Sequence, residues 1–235
     1  MFDPQVHIHK TVLMQRLLDA VSRGYHFHVA GTIPLPKAQR LADKFSERYA
    51  VHRNECQRAY ARSKGRANAR LFLLAVPGST DLLWWLCATS GVGSIHDEET
   101  LRDSREQRTR LRIETDYEAV RMTRRQNRGG GAVWTWRMTN ECSTRWRVRI
   151  LLACRGPGVA EIGPSIRSLY RTPGFSGIRQ QVGELMVLAR REWRHRHGSL
   201  DHFPVPLALP YVERLPDTSI RLSELINNRA SDVSC

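Results

Sequence analysis

The order of apolar and polar positions divides the chain into segments of different period. Val12, Leu13, Leu17, Leu18 and Val21 recur at helical spacing and predict an amphipathic helix over 8–22. Residues 24–33 alternate instead and predict a strand, ended by Pro34 and Pro36. Pro36 suits the first turn of a helix running to Tyr49, with Leu41, Ala42, Phe45 and Tyr49 on one face. The first half of 52–70 reads as helix, broken at Ser63-Lys64-Gly65. The apolar runs 71–76 and 82–88 flank Pro77-Gly78-Ser79-Thr80 and predict paired, buried strands. Residues 117–124 and 132–138 alternate around Gly129-Gly130-Gly131, the pattern of a hairpin. Three helices follow, over 139–154, 160–170 and 176–196. In the last, Ile178, Val182, Leu185, Met186, Leu188, Ala189 and Trp193 face inward. Two short strands are expected at 209–214 and 219–222, and 227–235 should fray. There is no internal repeat.

This layout predicts an α+β fold: a body over 1–138 that includes the basic segment 52–70, an α-helical, finger-like region over 139–200, and C-terminal strands over 201–235 that return to the body and end in a tail. At 235 residues with 41% hydrophobic content, the chain can bury a substantial core. No run of about 18 apolar residues exists to span a bilayer. Asp3, His7 and His9 interrupt any signal-peptide pattern, so a cytoplasmic location is expected. The five cysteines are scattered without a CxxC pair, which points to incidental thiols rather than a disulfide framework or zinc ribbon.

Charge changes the picture most. The formal net charge is +14, and of 37 basic residues only Lys10, Lys37, Lys44 and Lys64 are lysine. Such a balance marks a polyanion partner. Arginine adds a planar fork that grips phosphate with two hydrogen bonds and stacks on bases, although a GC-rich genome would also favour its codons. The cations gather in three places. Arg53, Arg58, Arg62, Lys64, Arg66 and Arg70 form the first, with Tyr60 interleaved and only Glu55 opposing them. Arg124, Arg125 and Arg128 flank the glycine turn. Arg190, Arg191, Arg194 and Arg196 lie on the outer face of the long helix, with His195 and His197. All three read as RNA-binding surfaces. Solvated helix faces, an ordinary turn and favourable charges on a helix C-terminus are the bland alternatives. Trp134 and Trp136 share one face of their strand and read as packing rather than base-stacking platforms.

No Walker loop, GxSxG elbow or HExxH occurs, no metal site is indicated, and no cofactor is implied. Asp97-Glu98-Glu99 lacks the spaced constellation of a two-metal nuclease. Three His-x-His pairs occur, at His7/His9, His26/His28 and His195/His197. On their strand, His26 and His28 share a face and are candidates for acid–base chemistry near neutral pH.

A basic chain of this size, with the strand–helix opening at 24–33 and 36–49, arginine-rich helices and no metal motif, resembles the CRISPR repeat-processing endonucleases of the RAMP superfamily. The type IV-A form, in which arginines are implicated, is the nearest in pattern. The resemblance implies a ferredoxin-like body and a metal-independent endoribonuclease of plasmid-borne antiviral defence. Such a protein would cut precursor CRISPR RNA beside its repeat hairpin by 2′-hydroxyl attack. It would stay on the 3′ hairpin with other effector subunits and meet target DNA through that complex. Its catalytic candidates are Arg23 at the start of the first strand, Arg40 on the helix behind it and Arg221 in the last strand, with His26 and His28 secondary. The family's glycine-rich loop lies near the C-terminus, whereas Gly129–Gly131 sits mid-chain. A non-catalytic binder, either a mobile-element DNA-binding protein or another effector subunit, accounts for the charge equally well and predicts steeply salt-dependent duplex binding.

Overall fold

The computed structural model describes residues 1–123, 130–156, 159–204 and 208–233, with side chains at 159–161 and 230–233 excepted. They fall into two units, residues 1–111 with 214–235 and residues 112–213. The first unit contains β1 (Gln5–His7), α1 (Lys10–Ser22), β2 (Phe27–Pro34), α2 (Leu35–Tyr49), α3 (Glu55–Ser63), β3 (Ala69–Ala75), β4 (Asp81–Ala88), α4 (Ser94–Glu98) and β5 (Arg102–Asp103). The second contains β6 (Arg112–Ile113), β7 (Tyr117–Thr123), β8 (Ala132–Met138), α5 (Asn140–Arg155), α6 (Val159–Leu169) and α7 (Ser176–His197). The chain then returns to the first unit as β9 (Ser219–Arg221) and α8 (Leu222–Val233).

Six strands of the first unit form one sheet in the order β5-β2-β4-β3-β1-β9. β2 and β3 both run antiparallel to β4, which lies between them, so β2-α2-α3-β3 is a crossover split by β4. β1 joins β3 in parallel, Val6 opposite Leu73, and β9 closes the edge antiparallel, Gln5 opposite Arg221. The sheet is therefore mixed, where a ferredoxin-like sheet would alternate direction throughout.

Alternation along the strands sends their side chains to two faces. On one face, Val6, Leu73 and Leu82 pack against Leu35, Ala38 and Ala42 of α2 and against Leu222 and Leu225 of α8. Phe45 and Tyr49 continue this layer over Leu86, Ala88 and Ile95. Each buried leucine contributes on the order of 1.5–3 kcal/mol. The alternate positions, including His7, His28, Arg70, Phe72 and Cys87, occupy the other face; His28 and Arg70 both stand opposite Cys87 across β4.

The second unit is a separate three-stranded sheet, β6-β7-β8, with three helices. β7 and β8 belong to this unit, which begins at Arg112. Thr139 caps α5 by accepting from the Cys142 N–H at 3.2 Å. Gly177 lets the start of α7 lie against β8, since a Cβ there would stand 2.5 Å from the Trp136 carbonyl oxygen. Trp136 is fully buried, which makes it core.

Two expectations near the C-terminus fail. Residues 209–214 form no strand, and 227–233 continue the α8 helix rather than fray, because Leu222 and Leu225 anchor it in the α2 layer; 234–235 lie outside the described residues. Among the described residues, Cys87, Cys142 and Cys154 are buried and Cys56 is exposed. No described helix is long and apolar enough to cross a membrane.

Candidate nucleic-acid interface

The segment 52–70 begins with a capping box. The Asn54 side chain accepts from the Gln57 N–H, and the Gln57 side chain accepts from the Asn54 N–H, both at 2.9 Å. These bonds start α3 and set Arg58 and Arg62 on successive turns. Buried Asn68 donates from Nδ2 to the Arg58 carbonyl at 3.0 Å, tying α3 to the sheet. The Arg58 guanidinium donates to the Arg53 carbonyl, and Arg53 reaches the Ala67 carbonyl at 3.4 Å. Gly91 closes the same corner. Its φ is +128°, and a Cβ would stand 2.7 Å from the Gly65 carbonyl oxygen, so only glycine fits without strain.

These residues open onto a hollow of about 700 Å³ along the β3-β1-β9 edge, whose walls include Arg53, Arg58, Arg70 and Arg221. His7 and Arg16 line it too. The two carboxylates in its walls are already engaged. Asp3 accepts from the Ser223 N–H at 3.0 Å and from the Ser223 hydroxyl at 2.8 Å, while Asp217 is ion-paired with Arg16. Arg221 donates to the Asp3 carbonyl at 3.0 Å, which holds it at the edge. Among the described residues, no carboxylate forms an ion pair with Arg53, Arg58 or Arg70, in contrast to Arg16, Arg48, Arg105 and Arg214.

Arg70 is half-buried, and burial lowers its pKa; nearby Tyr25 opposes that shift and Arg58 adds to it. Burial raises the pKa of Tyr25, against the pull of Arg58, Arg70, Arg62 and Arg23. Four arginine charges thus act on one buried phenol. His7 is 7% exposed, and its Nδ1 is buried without a hydrogen-bond partner. Burial lowers its pKa, Asp217 opposes this, and Arg16 and Arg70 reinforce it, so the imidazole is uncharged at neutral pH.

A second hollow of about 420 Å³ adjoins the first and shares His52 and Arg53 with it. Arg66 and Tyr60 line it, Tyr60 being 64% exposed with the Lys64 ammonium 5.7 Å from its ring centre. Arg62 and Lys64 are exposed on α3 and at its C-cap.

The other sequence candidates scatter. Arg23 caps α1 and lines neither hollow, though its charge acts on Tyr25. Arg40 is exposed on α2, away from both hollows. His26 and His28 line neither, and burial pushes His28 down to about 4. Arg124, Arg125 and Arg128 lie outside the described residues. In the second unit, Arg190, Arg191 and Arg194 border an apolar hollow of about 790 Å³ floored by Val187, Leu200 and Phe203. Arg191 pairs with Glu192, and Arg196 is exposed beyond the hollow. Among the described residues, no three His, Cys, Asp or Glu side chains are grouped so as to hold a metal ion.

Sequence reasoning missed His7, Arg16 and Tyr25. His7 stood in a His-x-His pair, but nothing local marked it as half of a site completed by residues some two hundred positions away. No protein-family model, curated protein or solved structure matches the chain.

Proposed function

We propose that the protein binds RNA, with the arginine-walled hollow of its first unit as the principal contact. One observation carries this reading: Arg53, Arg58 and half-buried Arg70 converge on a concave surface with no carboxylate paired to them. A desolvated cation without a counter-ion is costly, and a phosphate supplies the missing partner in the fork geometry a guanidinium prefers. The exposed arginine row of α7 offers a further phosphate-binding face, suited to the backbone of an RNA hairpin.

The finer reading is a ferredoxin-like, RAMP-type CRISPR repeat endoribonuclease working without metal inside an effector complex. The crossover split by β4 and the arginine cluster support it. In that chemistry the 2′-oxygen forms a bond to the adjacent phosphorus, and the bond to the 5′-oxygen breaks. A 2′,3′-cyclic phosphate and a 5′-hydroxyl result. Arg58 and Arg70 would stabilise the added charge, Arg221 would orient the backbone, uncharged His7 would take the 2′-proton, and water would protonate the departing 5′-oxygen. Arg23, Arg40, His26 and His28 have no such place beside the hollow.

The test incubates purified protein with a repeat hairpin in EDTA and compares hairpin RNA with duplex DNA at fixed salt. Tighter RNA binding and a cyclic-phosphate product are expected. Binding without product leaves a non-catalytic RNA binder, and a preference for duplex DNA overturns the RNA reading.

A further inference from the structure

We infer that the two adjoining hollows of the first unit hold successive unpaired nucleotides of one strand, and so read single-stranded RNA rather than duplex. This rests on the RNA-binding reading and narrows its substrate.

The hollows share a wall, His52 and Arg53, so a chain leaving one enters the other past a cation. Each combines a cation with an aromatic surface. In the first, the half-buried Phe2 ring and the exposed His52 ring meet edge to face at 6.3 Å beside Arg53 and Arg70. In the second, Tyr60 offers an exposed ring face flanked by Lys64 and Arg66. Basic walls with aromatic platforms are what an unpaired strand uses, because each unpaired base has a free face to stack.

A duplex cannot use these features. Its base faces are covered, and an A-form helix presents phosphates and 2′-hydroxyls along a convex surface. The inner hollow lies within the size range of small-ligand sites, roughly 300–1,000 Å³. His7, 7% exposed, is part of its inner wall. An uncharged imidazole nitrogen can meet the hydrogen-bonding edge of a base, an edge that pairing would hide.

The experiment measures fluorescence anisotropy at fixed ionic strength with an RNA strand of about eight nucleotides and with the perfect duplex of the same sequence. Wild type is compared with Tyr60→Ala, Tyr60→Phe and His7→Gln. The strand should bind at least tenfold tighter than the duplex. Tyr60→Ala should weaken strand binding about tenfold, leave the duplex unchanged and abolish quenching of a 2-aminopurine placed in the strand. Tyr60→Phe should restore both, and His7→Gln should alter base preference at one position. Equal affinities for strand and duplex with Tyr60→Ala silent would overturn this inference while RNA binding stands. Failure to bind any RNA would remove both.

Discussion

The Arg70 guanidinium lies 5.0 Å from the ring centre of Phe72, its neighbour on the same face of β3. The ring face lends Arg70 partial electrostatic compensation, of about 0.5–1 kcal/mol, without occupying its hydrogen-bonding edge. Those donors stay available to a phosphate. Arg70→Gln should therefore weaken RNA binding by roughly 1–2 kcal/mol and flatten the plot of log affinity against log salt by about one contact. Arg70→Lys should keep the salt slope yet lose part of the affinity, because it has charge without the fork. Arg48→Gln, which breaks a surface pair with Glu98 at 3.0 Å, should leave affinity within twofold. Anisotropy titrations across a salt series check all three.

Stability should fall as the medium is acidified below about pH 6.5. His28 is buried, with its pKa pushed down to about 4, so between these values the unfolded chain binds a proton that the folded chain refuses. Stability rises with pH wherever the unfolded state binds more protons. The contribution is therefore complete above about pH 6.5, is lost as the pH falls towards 4, and changes no further below that. Its size is roughly 3 kcal/mol, and His7, shifted the same way, adds to it. Thermal melts of wild type and His28→Leu between pH 4 and 7 measure it; the variant should show a visibly shallower acid limb.

How much of this could be read in advance depends on the range of the interaction. The break at Ser63-Lys64-Gly65, the inward face of α7 and the paired runs that became β3 and β4 are local patterns, and each predicts its element closely. β1 is three residues long, too short to carry a period, and it exists only because β3 and β9 flank it. α8 is set by Leu222 and Leu225 meeting α2, a contact no local signal announces. The site divides the same way. Density of charge marks Arg53, Arg58 and Arg70. Their convergence with His7, Arg16 and Arg221 needs the pairing of β1 with β9, whose partners Gln5 and Arg221 stand at opposite ends of the chain.

In the second unit, Gln181 of α7 completes the edge of β8. Its Oε1 accepts from the Met138 N–H at 2.7 Å, and its Nε2 donates to the Met138 carbonyl at 3.1 Å. One side chain thus replaces a missing strand at a fully buried residue. Gln181→Leu fills similar space but leaves both backbone groups unpaired. The cost should be about 2–4 kcal/mol, since each orphaned group costs on the order of 1–3 kcal/mol. Urea unfolding monitored by tryptophan fluorescence reads it. Gln181→Glu, which keeps the acceptor and loses the donor, should fall between.

Substitutions at Asn54 separate helix order from charge. α3 has nine residues and buries only Ala61, so it is too short to persist on its own. Its Asn54–Gln57 box and the bond from Asn68 to Arg58 hold it against the sheet. Asn54→Ala removes the cap at a cost of about 1 kcal/mol and lets the first turn fray, taking Arg58 with it. RNA affinity should fall severalfold with little change in salt slope, because no charge has been removed. Asn54→Asp keeps the acceptor and suits the helix N-terminus, so α3 should stay ordered. It also places a negative charge beside Arg53 and Arg58, and there the affinity should fall with a reduced salt slope. If both variants bind as wild type does, α3 does not carry the contact, and the arginines that bind phosphate must be sought elsewhere on the chain.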